Sequence, residues 1–121
     1  MTYMSKNEYL EQAVNWTKQK SFSEIKSIHE DYDSPKTFVN KATDETIQAD
    51  FSFVSQRGAN NFMDIALKTE HPQKLVTRWK LLSLMASLKR GKLFLLAPKG
   101  HKHFTQNLVN QYHINAIVYS L

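Results

Sequence analysis

A run of five apolar residues, from Leu93 to Ala97, constrains the fold of this chain more than any other feature of its sequence. A strand made only of apolar residues is typical of a strand that is covered on both faces of a sheet. The run lies between two segments with helical spacing of apolar residues, and a strand-like segment, 114–121, closes the chain. A strand–helix–strand connection implies a parallel pair. We therefore predict a sheet with helices on both faces.

Segments with alternating apolar residues precede this half of the chain and predict antiparallel strands. Residues 36–41 form a short β-branched segment. In the segment 46–55, Phe51 and Phe53 point one way while Asp50 and Ser52 point the other. A link with turn-forming residues, 56–61, leads to another strand at 62–69. These three strands predict an antiparallel meander that the parallel pair extends into a mixed sheet.

The N-terminal part of the chain predicts one further helix. Ser5 and Glu8 form a capping-box pattern, and the helix they open is expected to reach about Lys20. The following segment, 21–36, is ambiguous, because two of its isoleucines fit one helical turn while its end has loop composition. The predicted fold is therefore α/β (α+β) in the order α-β-β-β-α-β-α-β, a single domain over residues 1–121.

Composition narrows the class of protein. With 41% hydrophobic and 22% charged residues, the chain is typical of a globular protein. It has no apolar run near the ~18 residues that span a bilayer, and its first residues lack the pattern of a signal peptide. It also has no cysteine, which excludes a disulfide framework and a thiolate metal site. We expect a cytoplasmic location and no membrane partner.

Charge is distributed unevenly along the chain, although the net charge is only +5. Residues 1–70 contain all 11 acidic residues and eight basic ones, whereas residues 71–121 contain eight basic residues and no acidic one. Such a block of positive charge attracts phosphate-rich partners, although charge alone does not read a nucleotide sequence. We therefore expect contact with nucleic acid, while a solvated basic face is the alternative.

Charged residues on two predicted neighbouring strands form the pattern with the clearest chemical meaning. The first strand carries Asp50. The two-residue period of the second strand places Asp64, Ala66 and Lys68 on one face. Carboxylates are suitable ligands for Mg²⁺, which can activate water and stabilise charge on a phosphate, and a nearby lysine can assist.

The order of elements and four short segments resemble the restriction-endonuclease-like, or PD-(D/E)xK, superfamily over roughly residues 36–121. The last two of these segments are similar to the helix, apolar strand and terminal strand of small bacterial members. The four are "ADF" at 49–51, "DIALKT" at 64–69, "RWKLLSLMASLKRGKLFLLAPKG" at 78–100 and "INAIVYSL" at 114–121.

Carried over position by position, the resemblance makes Asp50 the first metal ligand and Lys68 the motif lysine. Ala66 stands at the second acidic position, where it cannot bind a metal, so we expect a degenerate site with little or no nuclease activity. Asp64 lies two residues earlier on the same face, about 6–7 Å along the strand, and could replace the missing acid. In that alternative, Asp50 and Asp64 hold Mg²⁺ and the protein is an active metal-dependent endonuclease.

Each candidate residue also has an ordinary structural interpretation. Asp50 could end a turn or pair with Lys68. Asp64 could be an exposed strand residue, or could pair with Arg57 or Lys68. Lys68 could be a solvated lysine at the end of a strand. Trp79 is expected to lie in the core rather than to stack on a base.

Three functional hypotheses follow. The leading one is a degenerate nuclease-like protein that associates with nucleic acid, and the second is the active nuclease with Asp64 as the replacement acid. The third is an adaptor or self-associating module, whose basic half meets an acidic partner such as the N-terminal half of another copy. For the first two, the expected phosphate contacts are Arg57, Lys74, Arg78, Lys89, Arg90 and Lys92.

Overall fold

A computed structural model of the chain describes residues 6–19, 23–28, 33, 35–41, 44–55 and 58–121. Ser5, Lys20 and Arg57, which carry predictions made above, lie outside the described residues. Of the helices described, none has the length and apolar character needed to cross a membrane. The elements are α1 (Lys6–Gln19), β1 (Ser23–Ser27), β2 (Thr37–Asn40), β3 (Glu45–Gln48), β4 (Phe51–Val54), β5 (Asn60–Ile65), α2 (Pro72–Leu88), β6 (Leu93–Ala97), α3 (Lys102–Gln111) and β7 (Ala116–Ser120).

Five of these strands form one mixed sheet in the order β1-β4-β5-β6-β7. β4 pairs antiparallel with both β1 and β5, and β6 pairs parallel with both β5 and β7. α2 connects β5 to β6, and α3 connects β6 to β7, as parallel neighbours require a crossover. The predicted α/β class with a mixed sheet is confirmed. The sheet also includes β1, which comes from the segment left ambiguous above.

The strand predicted over residues 46–55 is divided in two by a bend at Asp50. The part before the bend, β3, pairs with β2 in a separate two-stranded sheet. The part after it, β4, lies in the main sheet between β1 and β5. The predicted three-stranded meander is therefore not formed, because β3 and β4 find their partners in different sheets.

Hydrophobic side chains cover the main sheet on both faces. α2 and α3 pack on one face, in a cluster that includes Phe62 and Ala66. α1 packs on the other face, in a cluster that includes Met63 and Ile65. β6 contributes to both clusters. The predicted alternation along β5 and the predicted double cover of β6 are confirmed, and Trp79, which is 0% exposed, lies in the core as predicted.

α2 begins and ends with two recognisable backbone signals. Pro72 is its first residue, as predicted, where the N–H that proline lacks would have no partner inside the helix. At the other end, the N–H groups of Arg90 and Gly91 donate to the carbonyl oxygens of Ser87 and Ala86, the pattern of a Schellman motif. The left-handed residue of this motif is Arg90, with φ 64°, so the prediction that Gly91 holds that position was wrong.

Gly91 is required by a close approach to β5. A Cβ atom added at Gly91 would lie 1.6 Å from the carbonyl oxygen of Asn60. The N–H of Asn60 in turn donates to the carbonyl oxygen of Lys89 at 3.4 Å. The end of α2 and the start of β5 are therefore held backbone against backbone, and only a residue without a side chain fits between them.

Candidate functional site

Asp50 and Asp64 lie next to each other, and each carboxylate accepts a hydrogen bond from a backbone N–H of the other segment. The N–H of Asp50 donates to Asp64 Oδ1 at 2.9 Å, and the N–H of Ile65 donates to Asp50 Oδ2 at 2.9 Å. These bonds join the bend at Asp50 to the end of β5, just beyond the regular pairing of β4 with β5. Both aspartates are 2% exposed, so the interpretation of Asp64 as an exposed strand residue was wrong.

Arg78, on the first half of α2, supplies the positive charge of this site. Its Nε and Nη2 atoms donate to Asp64 Oδ2 and Oδ1 at 2.5 and 3.0 Å, a bidentate ion pair. Nη2 also lies 3.8 Å from Asp50 Oδ1 and donates to the carbonyl oxygen of Gln48 at 2.5 Å. We call Asp50, Asp64 and Arg78 the buried charge cluster. It joins β5 and the bend at Asp50 to α2.

The charge of Arg78 is stabilised by its partners. Burial lowers the pKa of Arg78, but its hydrogen bond to Asp64 and the charges of Asp64 and Asp50 raise that pKa by more. The net direction is upward from an already high value, so the guanidinium stays protonated wherever the protein is folded. The cluster therefore combines two carboxylates with one permanent cation.

The residues of the cluster, as arranged, do not fit a Mg²⁺ site. Each carboxylate oxygen of Asp50 and Asp64 already lies within 3.8 Å of a backbone N–H nitrogen or of Arg78. A Mg²⁺ ion needs close oxygen ligands, and its charge would repel the guanidinium that contacts the same oxygens. Among the described residues, no group of three or more His, Cys, Asp or Glu side chains is arranged to hold a metal ion.

Ala66 and Lys68 are not part of the buried charge cluster. β5 ends one residue before Ala66, so the strand predicted to reach residue 69 is shorter. Ala66 is 0% exposed and packs in the cluster under α2. Lys68 is exposed, and its backbone N–H donates to His101 Nδ1 at 2.8 Å. Among the described residues, Asp64 forms its ion pair with Arg78, where Lys68 was one of the predicted partners. The other predicted partner, Arg57, lies outside the described residues.

The pairing of Arg78 with the aspartates was missed by the sequence-based prediction, which assigned this residue to phosphate. One signal was present in the sequence. Arg78 follows Leu75 by three residues and precedes Leu82 by four, so helical geometry places it on the apolar stripe of α2. A charged residue on such a stripe needs a buried partner of opposite charge, and Asp64 is that partner here.

The remaining predicted phosphate contacts fall into two places. Lys74 and Arg78 line a cleft of about 550 Å³ beside β3 and the N-terminal half of α2. The second group is exposed just beyond the C-terminal end of α2, and Arg78 and Arg90 are separated by about 18 Å along the helix direction. This second group consists of Lys89, Arg90 and Lys92.

Comparisons with known proteins neither support nor contradict the resemblance described above. A scan against models of protein families, a search of curated proteins and a search of solved structures each found no match to this chain. The membership of the restriction-endonuclease-like superfamily therefore remains a proposal, based on motif residues and the order of elements.

Proposed function

We propose that this chain is a degenerate protein of the restriction-endonuclease-like type that associates with nucleic acid without cutting it. The observation that carries the proposal is the position of the Arg78 guanidinium, which contacts the carboxylates of both Asp50 and Asp64. In nucleases that this chain resembles, a metal ion is held by such acids. Ala66 supports the same conclusion, because this buried side chain has no oxygen to offer a metal.

A guanidinium does not perform the work of a metal ion in phosphodiester cleavage. A bound divalent cation lowers the pKa of a coordinated water, which then attacks the phosphorus at neutral pH. Arg78 has no coordination position for water, and its charge is balanced by two carboxylates. Its role here is to bind α2 to the sheet.

Association with nucleic acid is supported by the distribution of charge. Residues 71–121 carry eight basic side chains and no acidic one. With Arg78 engaged in the buried charge cluster, the other seven remain exposed: Lys74, Lys80, Lys89, Arg90, Lys92, Lys99 and Lys102. Exposed cations of this density attract the phosphate backbone and release its counterions on binding.

We expect the purified chain to bind DNA or RNA at low salt and to leave both uncut in Mg²⁺ or Mn²⁺. The affinity should fall steeply as salt rises, because binding releases counterions. Fluorescence anisotropy at increasing KCl measures the first property, and gel analysis of the nucleic acid measures the second. Cutting that disappears in Lys68→Ala but persists in the control Lys41→Ala, another exposed lysine, would contradict the inactive interpretation.

One feature of the geometry favours the alternative of an active nuclease with Asp64 as the replacement acid, although the cluster as arranged does not fit Mg²⁺. The same Arg78 Nη2 atom lies 3.0 Å from Asp64 Oδ1 and 3.8 Å from Asp50 Oδ1. The two carboxylates thus converge on one position that accepts a cation. In this alternative, Arg78 would have to leave before a metal could enter.

Arg78→Ala tests this alternative directly. We expect the variant to remain inactive in Mn²⁺, because Ala66 still provides no ligand, and we expect it to be less stable than the wild type. Mn²⁺ binding by calorimetry and cleavage of a plasmid are the measurements, with Arg78→Lys as the control that keeps a positive charge. Cleavage gained in Arg78→Ala and absent in Arg78→Lys would instead favour the nuclease.

Exposed apolar side chains of α2 favour the third hypothesis, an adaptor or self-associating module. Leu84 and Leu88 are 52% and 70% exposed, although they belong to a helix that packs on the sheet. These side chains could meet another copy of the chain. No binding to nucleic acid at low salt, together with a mass that rises with concentration in sedimentation, would favour this module over the leading proposal.

A further inference from the structure

A pocket of about 520 Å³ lies at the end of the main sheet opposite the buried charge cluster. Its residues include Asn61 at the start of β5 and Lys92 just before β6, whereas Asp64 lies near the other end of β5. Pockets of this size hold small ligands when their walls are mostly apolar and a few polar groups are well placed. The pocket is therefore a binding site to be considered separately from the cluster.

Aromatic rings form one wall of this pocket. The ring centroids of Phe53 and Phe94 lie 5.6 Å apart. On Phe94, the ring of Tyr119 stacks with a centroid distance of 5.9 Å and an angle of 20° between the two planes. Phe53 is buried and Phe94 is partly exposed, so Phe94 is the ring that a ligand can reach. The contacts with Phe53 and Tyr119 hold this ring in place, and its exposed part gives an aromatic ligand an apolar surface to pack against.

Two cations form the rim of the pocket. Arg90 and Lys92 are both exposed, and among the described residues that line the pocket there is no acidic side chain. Asn61, which is 5% exposed, accepts a hydrogen bond from the backbone N–H of Lys92 at 2.9 Å and donates to the carbonyl oxygen of Ala59 at 3.1 Å. The backbone that carries Lys92 is thereby fixed, and the positive rim is suited to an anion.

The backbone of Arg90 gives an independent reason to assign a function to this rim. Arg90 has φ 64°, at the helix position where glycine is usual and asparagine is the common substitute. Unfavourable backbone conformations of this kind are concentrated at ligand clamps and active sites, where the side chain is needed. A glycine at position 90 would suit the backbone better, so the presence of arginine there favours a functional role for its side chain.

We propose that this pocket binds one phosphorylated nucleoside unit, with the base against Phe94 and the phosphate between Arg90 and Lys92. Stacking on an aromatic ring together with cationic contacts to phosphate is how proteins bind single-stranded nucleic acid. The unit can be a free nucleotide or part of a single strand. The single-strand form rests on the proposed association with nucleic acid. A duplex does not present an unstacked base, so single strands bind more tightly than duplexes.

The test measures binding of a labelled single-stranded oligonucleotide of about 12 nucleotides, a duplex of the same sequence, and adenosine 5′-monophosphate. The variants are Arg90→Gly, Lys92→Gln and Phe94→Leu. Lys41→Gln is the matched control, because it also removes one exposed positive charge but lies just after β2, outside the basic block of residues 71–121. We expect each pocket variant to lose about tenfold in affinity for the single strand, and the control to lose much less. Circular dichroism verifies folding, and Arg90→Gly should be at least as stable as the wild type.

The outcomes separate this site from the proposed function. If the oligonucleotide binds and the control loses as much affinity as the pocket variants, the pocket proposal is overturned while association with nucleic acid stands. If the oligonucleotide does not bind but the mononucleotide does, and Arg90→Gly abolishes that binding, the pocket stands as a free-nucleotide site and the proposed association fails. If neither probe binds to the wild type at low salt, both are overturned.

Discussion

Asp64→Ala should lower the free energy of unfolding by about 3–5 kcal/mol, the usual result of removing one partner from a buried ion pair. The substitution removes both hydrogen bonds between Arg78 and Asp64 and also the acceptor of the Asp50 N–H. Since these groups are largely out of contact with solvent, water cannot replace the lost partners fully. Urea denaturation followed by circular dichroism measures the change.

Two further variants make this prediction specific to the ion pair. Glu70→Ala removes an exposed carboxylate and should change the free energy of unfolding by less than about 0.5 kcal/mol. The double variant Asp64→Leu, Arg78→Met removes both charges of the ion pair together. Its loss in free energy of unfolding should be much smaller than the sum of the losses in Asp64→Leu and Arg78→Met measured separately. A loss below about 1 kcal/mol in Asp64→Ala would show that the pair contributes little to the folded state in solution.

The order of the main elements could be predicted because it depends on local patterns. The alternation along β5 and the apolar run of β6 indicate which faces of these strands are buried. Burial of a face can be inferred from the sequence because it depends on the spacing of apolar residues. The bend at Asp50 was not predictable in the same way. Alternation continues through Ile47, Ala49 and Phe51 without a glycine or proline, and the division into two sheets depends on pairing with distant strands.

The candidate site was predicted in part for a similar reason. The alternative of an active nuclease placed Asp50 and Asp64 together on neighbouring strands, and β4 and β5 do form an antiparallel pair. The partner of this acid pair is Arg78 on α2, and its position depends on how the helix packs on the sheet. Chemical type alone suggested that Arg78 would contact phosphate, whereas its place on the apolar stripe indicated a buried partner.

The end of α2 shows how a correct residue type can be predicted for the wrong reason. Glycine just after a helix usually supplies the left-handed conformation, and this expectation was applied to Gly91. In the structure, Arg90 has that conformation and Gly91 lies against the backbone of Asn60. The spatial requirement involves a strand about 30 residues earlier in the chain, so a local rule cannot detect it.

Gly91→Ala should therefore lower the free energy of unfolding by about 3 kcal/mol, at the upper end of the cost of overpacking. The new Cβ atom would lie 1.6 Å from the Asn60 carbonyl oxygen and 2.4 Å from its carbonyl carbon, so α2 and β5 would have to move apart. Both atoms belong to backbone, and no side chain can rotate to relieve the contact.

Gly100→Ala is the matched control, because Gly100 has φ 90° but an added Cβ atom there meets nothing within 4 Å. This variant should lose only the preference of glycine for a left-handed backbone, about 1–2 kcal/mol. Urea denaturation of both variants, followed by circular dichroism, separates a steric requirement from a conformational one. If Gly91→Ala proved no less stable than Gly100→Ala, α2 and β5 would not be in backbone contact at this point, and the arrangement that brings Arg90 and Lys92 to the same rim would lose its anchor.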